Sequence, residues 1–216
     1  MTSAIGSGNF SLMKPFFLIA LFISLIIEHL HAQAGLDTLS RRDISFRYGI
    51  SADYLVPTRF NNQVTTTSLH ATFWKKRFIQ NYVLLNAGIT FTYGWGSSQQ
   101  FNSISDTVIQ IVTYKTAAFG IGPIIQLEPT IIKLKNFALT GEASGGVIVY
   151  DKRFPYGGDI YNFMFRMGPS LAFRVSKNCW VKAGYRWMHV SNGKGFGNQN
   201  PFYEAQGVSI GFVKVL

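Results

Sequence analysis

Hydrophobic and polar residues alternate along most of this chain, in segments of roughly ten residues separated by polar or Gly/Pro turns. A period of two is the pattern of a β-strand whose two faces lie in different surroundings. After residue 34, no stretch has the helical apolar stripe, or the length of about 20 residues, that a membrane-spanning helix needs. Repeated segments of this kind are typical of a β-barrel of the outer-membrane type.

We predict eight strands, an even number, as expected for a single-chain bacterial barrel. They cover residues 43–52, 64–74, 79–93, 107–124, 136–150, 160–174, 179–192 and 203–215. The predicted fold is therefore all-β, an eight-stranded antiparallel transmembrane β-barrel located in the bacterial outer membrane.

The composition agrees with a membrane barrel. Only 14% of the residues are charged, whereas soluble domains usually carry about 25%. The formal net charge of +10 suggests a polyanionic partner. No spacing typical of a nucleic-acid-binding motif is present, so phosphates at a membrane surface fit better. Cys179 is the only cysteine, which excludes an intrachain disulfide and a cysteine-based metal site.

Residues 1–34 have the layout of a secretory signal peptide. Lys14 supplies the positive charge, residues 15–27 form an apolar run, and Ala32-Gln33-Ala34 matches an A-x-A cleavage site. We expect this segment to be cleaved and residues 35–216 to form the barrel.

The side chains of alternate residues should separate into a lipid-facing set and an interior set. In the seventh strand Lys182 and Arg186 fall on the interior face, and in the fifth strand Glu142 does. Arg47 of the first strand joins them. An eight-stranded barrel has a lumen that side chains alone can fill, so we predict a buried, structural charge network.

Three polar residues share the opposite, outer face. His189 and Ser191 are two residues apart on the seventh strand, and Glu204 has outward parity on the eighth. An imidazole and a carboxylate are costly on a lipid-facing wall, so they indicate either chemistry or a position at the rim. Ser, His and a carboxylate within reach of each other are the parts of a nucleophilic acyl hydrolase. Strand direction places them near the outer leaflet.

The run His189-x-Ser191-Asn192-Gly193, followed by Asn200-Pro201-x-x-Glu204, resembles the lipid A 3-O-deacylases of the PagL type. The resemblance covers roughly the last thirty residues. It implies an eight-stranded outer-membrane barrel with a Ser-His-Glu triad on its outer surface. It also implies an esterase that removes the acyl chain linked at position 3 of lipid A and needs no cofactor and no metal.

By this resemblance His189 matches the general base, Ser191 the nucleophile and Glu204 the acid that orients the imidazole. Asn200 matches the asparagine assigned to the oxyanion region. Phe202 departs from the pattern, since a glycine is common at that position.

The implied partners are lipopolysaccharide and the outer membrane, with no nucleic acid; the sequence does not indicate an oligomeric state. Basic residues near the predicted outer rim would meet lipid A phosphates or simply be solvated: Arg59, Lys152, Arg153 and Lys194. The alternatives are a non-catalytic barrel acting as anchor or adhesin, and a phospholipase or transacylase on the same fold. His70 has no catalytic partner in the sequence, so a structural role is expected.

Overall fold

The computed structural model describes residues 47–58, 63–80, 83–105, 108–193 and 201–215. These ranges form eight strands, each antiparallel to the next, and the eighth pairs with the first to close a barrel. They are β1 (Arg47–Pro57), β2 (Val64–Gln80), β3 (Val83–Ser105), β4 (Val108–Lys133), β5 (Phe137–Tyr150), β6 (Tyr161–Ser176), β7 (Cys179–Ser191) and β8 (Tyr203–Val215). The predicted fold class is confirmed. The predicted signal peptide, residues 1–34, lies outside the described residues.

The strand bounds of β5 to β8 agree with the prediction to within about two residues, but those of β1, β2, β3 and β4 do not. Residues 94–106, which lie between the predicted third and fourth strands, mostly belong to β3, and Phe101 pairs with Ile111 of β4. Lys75-Lys76-Arg77, which lies between the predicted second and third strands, is inside β2. The β2–β3 and β3–β4 pairs continue through these residues because adjacent antiparallel strands satisfy each other's backbone hydrogen bonds.

The outer wall is apolar, as the parity predicts. No helix in the described ranges is long and apolar enough to cross a membrane. Large hydrophobic side chains are exposed on every strand, among them Tyr48, Ile50, Leu69, Phe73, Phe91, Ile121, Ile125, Val149, Phe163, Phe173, Tyr185, Val208, Ile210 and Phe212. In water such a surface would be highly unfavourable, whereas in a bilayer it contacts lipid chains. The protein is an outer-membrane β-barrel.

The interior holds the predicted charge network. Glu142 accepts hydrogen bonds from Lys182, Arg186 and Gln126. The structure adds Glu128, which the sequence analysis did not include, at 2.7 Å from Lys182 Nζ. A second buried pair, Arg166 with Asp53 at 2.6 Å, lies further along the barrel. Buried charges require such pairing.

An apolar cluster closes the lumen at the end where the longer connections lie. Phe154, from the connection between β5 and β6, is fully buried against Tyr150 and Tyr203, whose hydroxyl groups are 3.0 Å apart. A cavity of about 20 Å³ beside Glu142 and Lys182 holds roughly one water molecule. The interior has no room there for a larger ligand. A site for such a ligand would therefore lie on the wall or the rim of the barrel.

The two ends of the barrel differ in their connections. Residues 81–82, 134–136 and 177–178 join strands at one end, and residues 58–63, 106–107, 151–160 and 192–202 join them at the other, where three of the four connections are longer. Outer-membrane barrels have short periplasmic turns and longer outer loops. The second end is therefore the outer one, and β7 runs towards it.

Candidate functional site

His189 and Ser191 lie at the outer end of β7, on the outer wall. Met188, which precedes His189, and Val190, which separates it from Ser191, are fully buried in the interior. Strand alternation therefore turns His189 and Ser191 outwards. Glu204 stands directly opposite His189 in the register between β7 and β8. Its neighbours Tyr203 and Ala205 are fully buried, which turns Glu204 to the same outer face.

The imidazole and the carboxylate are in contact. His189 Nδ1 lies 3.4 Å from Glu204 Oε1, and the two side chains are 35% and 23% exposed. This is a long hydrogen bond, since N–H···O distances centre near 2.9–3.0 Å. It is a cross-strand pair, so the barrel register itself brings together two residues 15 positions apart in sequence.

Ser191 is on the same face but is not hydrogen-bonded to the imidazole. In the described ranges, no hydrogen bond joins Ser191 to His189. Two residues along a strand are about 6.6–6.8 Å apart, so the side chains must turn towards each other to meet. Catalytic hydrogen bonds are often long without substrate and tighten when it binds.

Aromatic rings surround the imidazole. The Phe202 ring is 5.5 Å from the His189 ring between centroids, at an angle of 27° between planes. The Trp187 ring is 6.2 Å away at 28°. In the sequence, Phe202 stands out only as a departure from a family pattern, and these contacts were not predicted.

An apolar strip lies beside the polar residues, on β6. Phe163 pairs with Ser191, Phe165 with His189, and Met167 with Trp187. Phe163 is 46% exposed. A hydrocarbon chain that lies along this strip would pass the hydroxyl group of Ser191.

The backbone turns sharply just after Ser191. Gly193 has a φ of +64°, in the left-handed region, which glycine adopts without the steric cost of a side chain. A Cβ atom there would come within 3.0 Å of the Phe163 ring. The turn therefore requires glycine, and it sets the direction of the backbone N–H groups that follow Ser191. Asn200, the predicted oxyanion residue, lies outside the described residues.

A hydrogen bond links the connection between β5 and β6 to this turn. Asn192 Nδ2 donates to Asp159 Oδ2 at 3.0 Å, and Asn192 is only 2% exposed. Asn162 in turn donates to the carbonyl oxygen of Phe154 at 2.9 Å. No sequence signal predicts the pair of Asp159 and Asn192, because strand parity says nothing about a loop residue.

The remaining predicted residues lie elsewhere. Lys152 and Arg153 are exposed on the outer connection after β5, whereas Arg59 and Lys194 lie outside the described residues. His70 is buried and bonds Thr92 and Ser68 at 2.9 Å each, in agreement with a structural role. In the described part of the chain, no group of three or more His, Cys, Asp or Glu side chains is placed to hold a metal ion.

Comparison with known proteins adds a likeness of fold. No family model matches the sequence, and no curated protein matches it. Among solved structures, the chain is similar to the outer membrane enzyme PagL, with a TM-score of 0.48 and 16% identity over 77% of this chain and 99% of that one. It is also similar to Neisserial surface protein A (NspA), with a TM-score of 0.45 and 14% identity over 81% and 98%.

A third similar structure is the outer membrane protein AlkL, with a TM-score of 0.38 and 10% identity over 83% of this chain and 94% of that one. At these identities the likenesses concern the fold alone.

Proposed function

We propose that this protein is an outer-membrane esterase that removes the 3-O-linked acyl chain from lipid A of lipopolysaccharide. The proposal rests on one observation, the contact between His189 and Glu204 on the outer wall, with Ser191 on the same face of the same strand. Ionisable residues on a lipid-facing wall are costly and are usually functional. A surface that served only to anchor the barrel would gain nothing from them.

In this mechanism, Nδ1–H of the neutral imidazole donates a hydrogen bond to Glu204 and keeps its proton, so the unprotonated Nε2 is the proton acceptor. Nε2 takes the proton of Ser191 as Oγ attacks the ester carbonyl carbon. Glu204 stabilises the imidazolium that forms. The bond between the carbonyl carbon and the sugar oxygen then breaks, and the imidazolium returns its proton to that oxygen. Water attacks the acyl-serine in the same way, which releases the fatty acid and restores Ser191.

The carbonyl oxygen becomes negatively charged in the tetrahedral intermediate and needs fixed donors. The backbone N–H groups at the Asn192–Gly193 turn and the side-chain amide of Asn200 are the proposed donors. The left-handed conformation of Gly193 supports this role, because it fixes the backbone immediately beyond the nucleophile.

Three features favour lipid A as the substrate class. The site lies at the outer end of the barrel, where lipopolysaccharide forms the outer leaflet. The β6 strip of Phe163, Phe165 and Met167 offers an apolar path for an acyl chain. Lys152 and Arg153 are exposed at the same end and would attract lipid A phosphates.

The test is mass spectrometry of lipid A from a bacterial host that expresses the wild-type protein, Ser191→Ala or the control Ser176→Ala. Ser176 is exposed at the opposite, periplasmic end of β6. We expect the wild type and the control to shorten lipid A by one hydroxyacyl chain and Ser191→Ala to leave it intact. Each barrel should show the gel shift of folded outer-membrane proteins on heating.

Two other outcomes would contradict the proposal. Release of lysophospholipid with intact lipid A would show a phospholipase on this fold. If neither lipid changes in cells with the folded wild-type protein, the barrel is an anchor or adhesin and the three residues are not a triad.

A further inference from the structure

The imidazole of His189 has two aromatic rings beside it, Trp187 from β7 and Phe202 from the residue just before β8. Trp187 is two residues before His189 on β7, so it flanks the imidazole from the periplasmic side. Phe202 is two residues before Glu204, which stands opposite His189. Because β7 and β8 are antiparallel, Phe202 flanks the imidazole from the outer side. Both rings are within 28° of parallel to it.

The arrangement limits how the imidazole can move. Glu204 holds one edge of the ring through Nδ1, but at 3.4 Å this bond alone is a weak restraint. A nearly parallel ring on each side of the imidazole limits how far it can tilt.

The rings would act most strongly on the charged form of the imidazole. When His189 takes the proton of Ser191 it becomes a cation, and a cation over the face of an aromatic ring is attracted by the negative charge of that face. The attraction exists in the transition state but not with the neutral imidazole. An interaction of that kind raises the rate of the chemical step rather than the affinity for substrate.

We propose that Phe202, together with Trp187, is a positioning residue that clamps the imidazole of His189 and stabilises its protonated form during acyl transfer. This inference rests on the proposed esterase function. The proposed clamping role differs from the usual role of aromatic residues at membrane interfaces, which is to anchor the barrel in the bilayer. Anchoring depends on the size and polarity of the ring and not on its distance from an imidazole.

The first experiment measures kcat and KM on purified lipid A in detergent micelles, using the refolded mature protein. The variants are Phe202→Leu, Phe202→Tyr and the control Phe212→Leu. Phe202 and Phe212 are similarly exposed, at 43% and 41%, and both lie on the outer face. We expect Phe202→Leu to lower kcat about three- to tenfold with KM nearly unchanged. Phe202→Tyr, which keeps the ring, and Phe212→Leu should retain wild-type kcat.

The second experiment does not depend on catalysis. Diethyl pyrocarbonate modifies neutral imidazoles, and mass spectrometry of peptides gives the rate at His189 separately from the buried His70. Without the ring of Phe202 one face of the imidazole is open, so we expect Phe202→Leu to raise the rate severalfold. Phe202→Tyr and Phe212→Leu should match the wild type.

The outcomes separate the two proposals. An unchanged modification rate in Phe202→Leu overturns the clamp whatever the activity is. If the wild type is active, the clamp is also overturned when Phe202→Leu keeps the wild-type kcat. It is overturned as well when Phe202→Tyr loses as much kcat as Phe202→Leu does. If the wild-type protein cleaves no ester, the proposed esterase function is overturned. The rate at which diethyl pyrocarbonate modifies His189 then decides alone whether the rings hold the imidazole.

Discussion

At the scale of single residues, the contact between His189 and Glu204 depends on parity and register together. Parity could be derived from the sequence, because buried neighbours such as Val190 and Tyr203 alternate with the two polar residues. The distance between them could not be derived, since parity fixes a face and leaves the rotamers open. The stacking of Phe202 on the imidazole was missed for the same reason.

Glu204→Ala should impair ester cleavage less than Ser191→Ala does. In the proposed mechanism the carboxylate orients the imidazole and stabilises its charge, so some catalysis should survive without it, whereas loss of the proposed nucleophile removes the acyl-enzyme step. We expect a loss of kcat about a hundredfold smaller than that of Ser191→Ala. Glu204→Asp, which is one methylene shorter, should retain intermediate activity. Steady-state kinetics on purified lipid A measures all three, and equal losses for Glu204→Ala and Ser191→Ala would contradict the orienting role.

At the scale of elements, the connection between β5 and β6 shapes the site although it contributes no member of the predicted triad. Phe154 fixes it in the barrel mouth, and Asp159 holds Asn192 beside Ser191. A sequence pattern cannot reveal a bond between residues 33 positions apart when both of them are in connections between strands. Strand periodicity, by contrast, predicted β5 to β8 closely, because each alternates over its whole length.

Asp159→Ala should lower kcat about tenfold while the barrel remains folded. Its carboxylate accepts a hydrogen bond from the buried Asn192 amide, and a hydrogen bond to a charged group contributes about 1.5–3 kcal/mol. Without it the turn that carries the proposed oxyanion donors is less well fixed. Asp151→Ala is the control, because Asp151 lies in the same connection and bonds the backbone of Phe119 instead. A similar loss in both variants would indicate a general effect of the loop.

Glycine is an ambiguous sequence signal at this scale, because it can mark either a turn or a crowded position within a strand. Gly94 and Gly96 fall between the predicted third and fourth strands. In the structure both are within β3, where a Cβ atom on Gly94 would lie 2.8 Å from the Phe154 ring and one on Gly96 would lie 1.8 Å from the Thr65 carbonyl oxygen. These two glycines allow neighbouring segments of the protein to approach the strand closely, a role that glycine fills as readily as it forms a turn.

At the scale of the whole molecule, interior charges hold the barrel together around a filled lumen. Residues of β4, β5 and β7 meet in the network of Glu128, Glu142, Lys182 and Arg186. The sequence predicted most of its members, because interior parity and an opposite charge identify them. It did not include Glu128, and it did not pair Arg166 with Asp53, since which interior residues meet across the lumen depends on the tilt and stagger of the strands.

Glu142→Ala should destabilise the barrel by about 3–5 kcal/mol, the usual cost of removing one partner from a buried ion pair. The change takes a carboxylate from both Lys182 and Arg186. Glu204→Ala, on the outer wall, should cost less than about 1 kcal/mol. Urea unfolding of refolded protein in lipid vesicles measures both values. Equal midpoints for Glu142→Ala and the wild type would contradict a stabilising role for the network.

The position of His189, Ser191 and Glu204 on the outer wall determines how molecules reach them. A ligand embedded in the same leaflet arrives by lateral diffusion in two dimensions, without crossing the water phase. The rate of any reaction there would therefore follow the mole fraction of the ligand in the membrane, not its amount per volume of suspension. Diluting a substrate lipid with inert lipid would slow turnover, whereas diluting the whole suspension of vesicles with buffer would leave turnover per barrel unchanged.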